Sequence, residues 1–223
     1  AGAAGAMDLA KTSLEHGATY DKLAAQMGAT GELAKEYGAT AGRLYANGMG
    51  ENMEAAADAV GLVASSFPVA GFEGERTLEQ ISNSALAFAD IFDTDVGSAV
   101  QTASQLINDG LAVDSAQAFD MMTASFQRVP AAMREEIPEL MQEYGTHLQS
   151  MGFDGEEAFG LLVTMAGKGK FALDKTGDSL KEFSLIATGG GEAVDEAFKS
   201  INLNSADMGA AIAVGGDAAQ AAI

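Results

Sequence analysis

The dipeptide Ala-Phe recurs at Ala118-Phe119, Ala158-Phe159 and Ala197-Phe198, an almost even step of about 40 residues, which is the length of a two-helix unit. The first two copies share a start signal. Asp114-x-x-Gln117 and Asp154-x-x-Glu157 keep the first of these steps without a gap. Each has the shape of a capping box, in which two side chains satisfy the free backbone donors of a helix start. A two-helix unit cannot bury its apolar face alone and so stacks on its neighbours. The spacing predicts that the second half of the chain is a stack of helical hairpins. Such a stack forms surface more readily than it forms a catalytic cleft.

The rest of the chain agrees with an all-α fold without a sheet. Alanine is abundant and the 223 residues include 3 Pro, a balance that favours helix. No stretch shows the β-branched alternation of a strand. Glycine reaches 27 residues, about 12% against a usual share of roughly 7%, and most of it falls between periodic segments, where it reads as helix C-caps and turns. The 11 Met fall mostly at or near apolar seam positions, as at Met121, Met122, Met141 and Met165, and read as gap-fillers in helix contacts.

Three regions follow from the pattern. Residues 1–64 form an Ala/Gly-rich helical segment, with turns expected at His16-Gly17-Ala18-Thr19, Met27-Gly28-Ala29-Thr30 and Tyr37-Gly38-Ala39-Thr40 and a helix over 51–64. Residues 65–76 hold Pro68, Gly71 and Gly74 and read as a linker or hinge. Residues 77–223 form the helical-hairpin domain. Its first helix carries Leu78, Ile81, Ala85, Phe88 and Phe92, spaced 3, 4, 3 and 4, which is the narrow seam of a self-associating helix. These five residues are the candidate self-association face. Further on, Asp93-Thr94-Asp95 offers a cap, Ile137, Met141, Tyr144 and Leu148 line one helix face, and Leu173, Leu180, Phe183 and Ala187 line another. The tail, 205–223, reads as an Ala/Gly-rich helix broken at Gly215-Gly216.

Composition excludes several function classes. With 32 acidic and 12 basic residues the formal charge is −20, a surface that repels nucleic acid and anionic lipid and attracts basic partners. Cysteine is absent, so neither a disulfide framework nor thiol chemistry is available. No apolar run reaches the ~18 residues of a membrane span. The chain opens Ala-Gly-Ala-Ala-Gly-Ala without a Met or a charged region, which predicts a segment of a longer or processed protein and no signal peptide.

The motifs that carry chemistry do not assemble. Gly167-Lys168 lacks a phosphate-loop pattern, because Leu162 stands where the first glycine belongs and Gly169 where Ser or Thr belongs. Gly189-Gly190-Gly191 follows a helix and reads as a turn. His16 and His147 have no metal spacing. The carboxylate pairs Asp93/Asp95, Glu135/Glu136 and Glu156/Glu157 read as helix-start residues favoured by the macrodipole. Asp93-x-Asp95-x-Gly97 opens like a calcium loop, but Ser104 stands where its last ligand, a Glu, belongs. The sequence therefore predicts no catalytic residue, no metal site, no cofactor and no enzyme.

Two stretches resemble a known family. One is Met27 to Val63, with Met-Gly-Ala-Thr-Gly-Glu-Leu-Ala-Lys-Glu-Tyr-Gly and then Gly42-Arg43-Leu44-Tyr45-Ala46-Asn47-Gly48-Met49-Gly50-Glu51-Asn52-Met53-Glu54 before an Ala-rich helix. The other runs from about Leu86 to Gly216 and includes Phe92-Asp93-x-Asp95, Glu143-Tyr144-Gly145, Met151-Gly152-Phe153, Asp174-Lys175-Thr176-Gly177-Asp178 and Ala213-Val214-Gly215-Gly216. In these the chain resembles the tail tape measure proteins of tailed phages, particularly phages of actinobacteria.

The resemblance implies a long, mostly helical protein inside the virion tail that sets tail length and leaves ahead of the DNA. It implies tail tube protein, tail tip or baseplate proteins and assembly chaperones as partners, a homo-oligomer with a trimer favoured, and residence in the host cytoplasm during assembly. It implies neither nucleic-acid binding nor a membrane span in this segment. A straight helix of 223 residues would reach ~335 Å at 1.5 Å per residue, and the Gly and Pro breaks make the segment far shorter. The expectation is a folded segment of a ruler, not the extended ruler. A helical-repeat binding module of a cell-surface or secretion protein is the alternative, and a murein hydrolase is disfavoured by the missing site residues.

Overall fold

The computed structural model describes residues 17–67 and 77–222, and every regular element among them is helical. The chain divides into two compact units, Ala1–Gln101 and Thr102–Ile223.

In the first unit, residues 17–26 form α1, followed by α2 (Gly31–Ala46), α3 (Met53–Ser66) and α4 (Leu78–Phe92). Helices α2, α3 and α4 pack on one another. Alanine explains how closely. Helix α3 buries Ala56, Ala57, Ala59, Val60 and Val63, so its neighbours approach a nearly flat strip. Asn52 caps α3 by accepting from the Ala55 N–H at 2.9 Å. Thr77 and Gln80 form a complete capping box on α4. Arg43 Nε meets Glu79 Oε2 at 2.6 Å between α2 and α4.

One expected turn lies inside a helix. Tyr37-Gly38-Ala39-Thr40 belongs to α2, with Tyr37, Gly38 and Thr40 buried. Gly38 and Gly42 share a face and seat the Tyr20 ring of α1. A Cβ on Gly38 would stand 3.0 Å from Tyr20 Cγ, and one on Gly42 2.8 Å from its hydroxyl oxygen. These glycines allow an aromatic ring onto a helix, a role that local sequence does not distinguish from turn formation. Gly17 is likewise helical, and His16 lies outside the described residues.

The division into units falls at a different place from the linker expected at 65–76. Ser65 and Ser66 close α3, residues 68–76 lie outside the described residues, and α4 belongs to the first unit. The apolar seam of α4 finds its cover on α2 and α3, so the change of composition at Pro68 does not separate two cores. The division falls instead at Gln101/Thr102, inside α5 (Val96–Asn108).

The second unit contains α6 (Ser115–Phe126), a short 3₁₀ turn (Ala131–Met133), α7 (Glu136–Ser150), α8 (Gly155–Ala166), α9 (Lys170–Gly189), α10 (Glu192–Ser200), α11 (Ser205–Val214) and α12 (Gly216–Ala222). Helix α6 packs on α8, α7 on α9 and α9 on α11. Corresponding helices of successive hairpins thus lie side by side in two layers. The starts are set as the sequence predicts. Asp114 accepts from the Gln117 N–H at 2.8 Å, and Asp154 and Glu157 form a full capping box. Gln117 departs slightly, since its Oε1 accepts from Val113.

Helices α7 and α9 run parallel in one register. Lys170 reaches Glu136, the Tyr144 hydroxyl donates to Asp178 at 2.9 Å, and Ser150 meets Ser184, each across 34 residues. The layer of α6 and α8 repeats at a longer step, from Phe119 to Phe159. The excess is the difference in turn length. Residues 127–135 join α6 to α7, whereas only 167–169 join α8 to α9. The longer turn is stitched back by Arg134 Nε, which donates to the Phe126 carbonyl at 3.0 Å.

The interior of this stack contains Phe119, Met122, Phe126, Ile137, Met141, Tyr144, Leu148, Phe159, Leu162 and Leu173, all buried. The seam predicted at Ile137, Met141, Tyr144 and Leu148 is buried throughout. Gly177 brings α7 and α9 together, because a Cβ there would stand 2.3 Å from Tyr144 Cε2. Substituting Gly177→Ala must displace the ring and is expected to cost about 1–3 kcal/mol. Gly160→Ala meets nothing within 4 Å on an exposed helix face and is expected to stabilise by about 0.5–1 kcal/mol. Denaturant unfolding of the two variants checks both signs.

Candidate functional site

The five residues of the predicted self-association seam lie together on one face of α4. Leu78, Ile81, Ala85, Phe88 and Phe92 are each between 0 and 8% exposed, and the rings of Phe88 and Phe92 are tilted against each other at 4.8 Å. The face is covered by α2 and α3 of its own unit, so in this fold it offers no surface to a second copy. A 3-4 apolar spacing reports that a helix face is covered, not what covers it.

Several of the polar groups singled out from sequence have a structural task. Asp95 caps α5 by accepting from Ser98 at 2.8 Å. Asp93 takes a left-handed conformation, φ 52°, at the end of α4. Glu136 meets Lys170 at 2.6 Å, which raises the lysine pKa, and Glu157 closes its capping box. His147 is half-buried in the last turn of α7. Gly167-Lys168-Gly169 forms the turn between α8 and α9, and Gly190 and Gly191 have positive φ between α9 and α10. Among the described residues no three His, Asp or Glu gather as a metal site.

Tyr144 shows the strongest electrostatic perturbation in the stack. Burial, then the hydrogen bond to Asp178, holds its phenol pKa above the ordinary value of 10.0. The phenol therefore stays protonated and donating, which suits an interhelix tie and not a base.

Two surface depressions of the second unit differ in chemistry. A groove of about 690 Å³ between α6 and α8 is lined by Asp114, Gln117, Asp120, Arg128, Glu156 and Phe159 among others. A smaller one, about 340 Å³, is walled entirely by apolar side chains of α9 and α10, including Phe183, Ile186, Val194, Phe198 and Ile201. Sequence reasoning placed Phe183 inside. It is 39% exposed, although Ser184 and Ala187 of the same half of α9 are buried.

Residues 43–222 match the family described as phage-related minor tail protein. This chain belongs to that family. It is also 36% identical, over 139 residues, to the probable tape measure protein of Streptomyces phage phiC31; the match spans 62% of this chain and 19% of that relative. No solved structure matches it significantly. Both likenesses agree with the family resemblance drawn from the two sequence stretches. No helix among the described residues is long and apolar enough to cross a membrane.

The burial of the seam gives a direct test. Phe88→Asp places a carboxylate among apolar side chains and is expected to cost more than about 3 kcal/mol. Circular dichroism of the variant then shows loss of cooperative unfolding in the first unit. A well-folded variant whose mass halves or falls to a third by light scattering would restore the seam as an association face.

Proposed function

We propose that this chain is a folded, structural segment of a tape measure protein, without enzymatic activity. In this reading it docks on tail tube, tail tip or baseplate components, is handled by assembly chaperones in the host cytoplasm, and leaves with the rest of the ruler at genome ejection. The support is the match of residues 43–222 to the phage-related minor tail protein family. Two layers of short helices, closed by caps and Gly turns, present faces for docking. Association between copies, a trimer being the expected state, then uses surfaces other than the Leu78–Phe92 seam.

A folded segment contributes little to length. Helix α9, the longest among the described residues at 20 residues, spans ~30 Å, and its neighbours lie beside it rather than beyond it. Deleting residues 115–154 in frame in the parent phage removes α6 and α7 and joins Asp114 to Gly155. Asp114 then caps α8, with Glu157 still three residues on from the helix-capping position. Electron microscopy is expected to show tails of normal length, or failed assembly. Tails shorter by ~60 Å, the span of the deleted stretch as one helix, would mean that it counts length in an extended form.

A further inference from the structure

The apolar groove between α9 and α10 carries an inference that stands independently of any role in setting length. Ile186 is 56% and Ile201 63% exposed, with Phe183 beside them. The Phe183 and Phe198 rings meet edge-on at 6.5 Å across the groove floor. Beneath lies a small cluster of Ala187, Phe198, Met208 and Ile212. A contiguous apolar face rimmed by polar residues marks a binding surface, whereas apolar residues scattered singly do not.

The rim is acidic. Glu182 stands one turn before Ile186 on α9, and Glu196 one turn after Ala193 on α10, so both border the groove. Between residues 182 and 207 the chain carries Glu182, Glu192, Asp195, Glu196 and Asp207 against Lys199 alone. Glu182, Glu192 and Glu196 are exposed. Among the described residues the interhelix ion pairs engage other carboxylates, such as Glu136 and Glu143.

We propose that this groove docks a basic amphipathic helix of a partner protein, seated by its apolar stripe and held at the edges by Lys or Arg. A helix fits because both walls are helices with no open strand edge to pair with, so the occupant must satisfy its own hydrogen bonds. The length agrees: α10 has 9 residues, about 13 Å, which matches apolar anchors at i, i+3, i+4 and i+7. A second copy of this chain is disfavoured, because it would set Glu182, Glu192 and Glu196 against the same residues.

The test uses the full 223-residue chain and labelled 18-residue Leu/Lys peptides followed by fluorescence anisotropy. A peptide with leucines at i, i+3, i+4 and i+7 is expected to bind saturably, at least tenfold tighter than a scrambled Leu/Lys peptide or a Leu/Glu peptide with the same stripe. Ile186→Asn and Ile201→Asn, both at exposed sites that keep the fold by circular dichroism, each weaken binding at least fivefold. Val214→Asn, exposed but outside the groove, leaves binding unchanged. Equal binding of the scrambled peptide, or no weakening by either isoleucine variant, overturns the proposal. So does a chain that dimerises and becomes monomeric on Ile186→Asn, which would give the groove to a second copy.

Discussion

The seating of Tyr144 on Gly177 is the contact on which the second unit depends. Parallel helices cannot be joined by a short turn, so α7 and α9 require a crossover, and α8 supplies it. That arrangement holds only while α7 and α9 lie close enough to bury what α8 covers. Gly177 grants the approach, and the Tyr144 hydroxyl uses it to reach Asp178 at 2.9 Å. The raised phenol pKa follows from the same burial. Ion pairs sit on the rim at Glu136–Lys170, in the same register, and at Glu143–Lys181, one turn further along α9, where solvent screens them. They report alignment more than they produce it.

Small residues do the corresponding work in the first unit. Gly38 and Gly42 admit Tyr20, and the alanines of α3 admit α2 and α4. Alanine buries little area, so stability here comes from many close backbone approaches and from a few large anchors such as Leu44, Ile81 and Phe88. A chain built this way tolerates few enlargements on its inner faces.

Much of this was legible in the sequence where the signal is local. Caps at Asp114 and Asp154 need only a few neighbouring residues to declare themselves, and the α7 seam needs only one helix. The breaks at Gly110, Gly152 and Gly215 coincide with positive φ. What was not legible is pairing. The 3-4 spacing of α4 is the same whether α3 or a second molecule covers it. Gly38 looks like a turn glycine until Tyr20, from another helix, is placed on it. The division at Gln101/Thr102 has no such local mark, since a change of composition along the chain does not show which helices meet across it.

The third Ala-Phe pair shows where a sequence period ceases to be a structural one. In α6 and α8 the Phe is the fifth helical residue, after an Asp cap; in α10 it is the seventh, after Gly191. Two residues amount to about 200° around a helix, so Phe198 stands at a different angle from its helix start than Phe119 and Phe159 do. It closes on Ala187, Met208 and Ile212. The sequence period is thus nearly kept, one position short of the preceding step, while the helix that carries it has turned. That turn and the open groove coincide. A helix rotated to bury Phe198 on one side presents Ala193, Ala197 and Ile201 on an adjoining one, next to Phe183 and Ile186 of α9. The lost cap and the exposed apolar face thus occur together, at the place where the hairpin stack stops repeating.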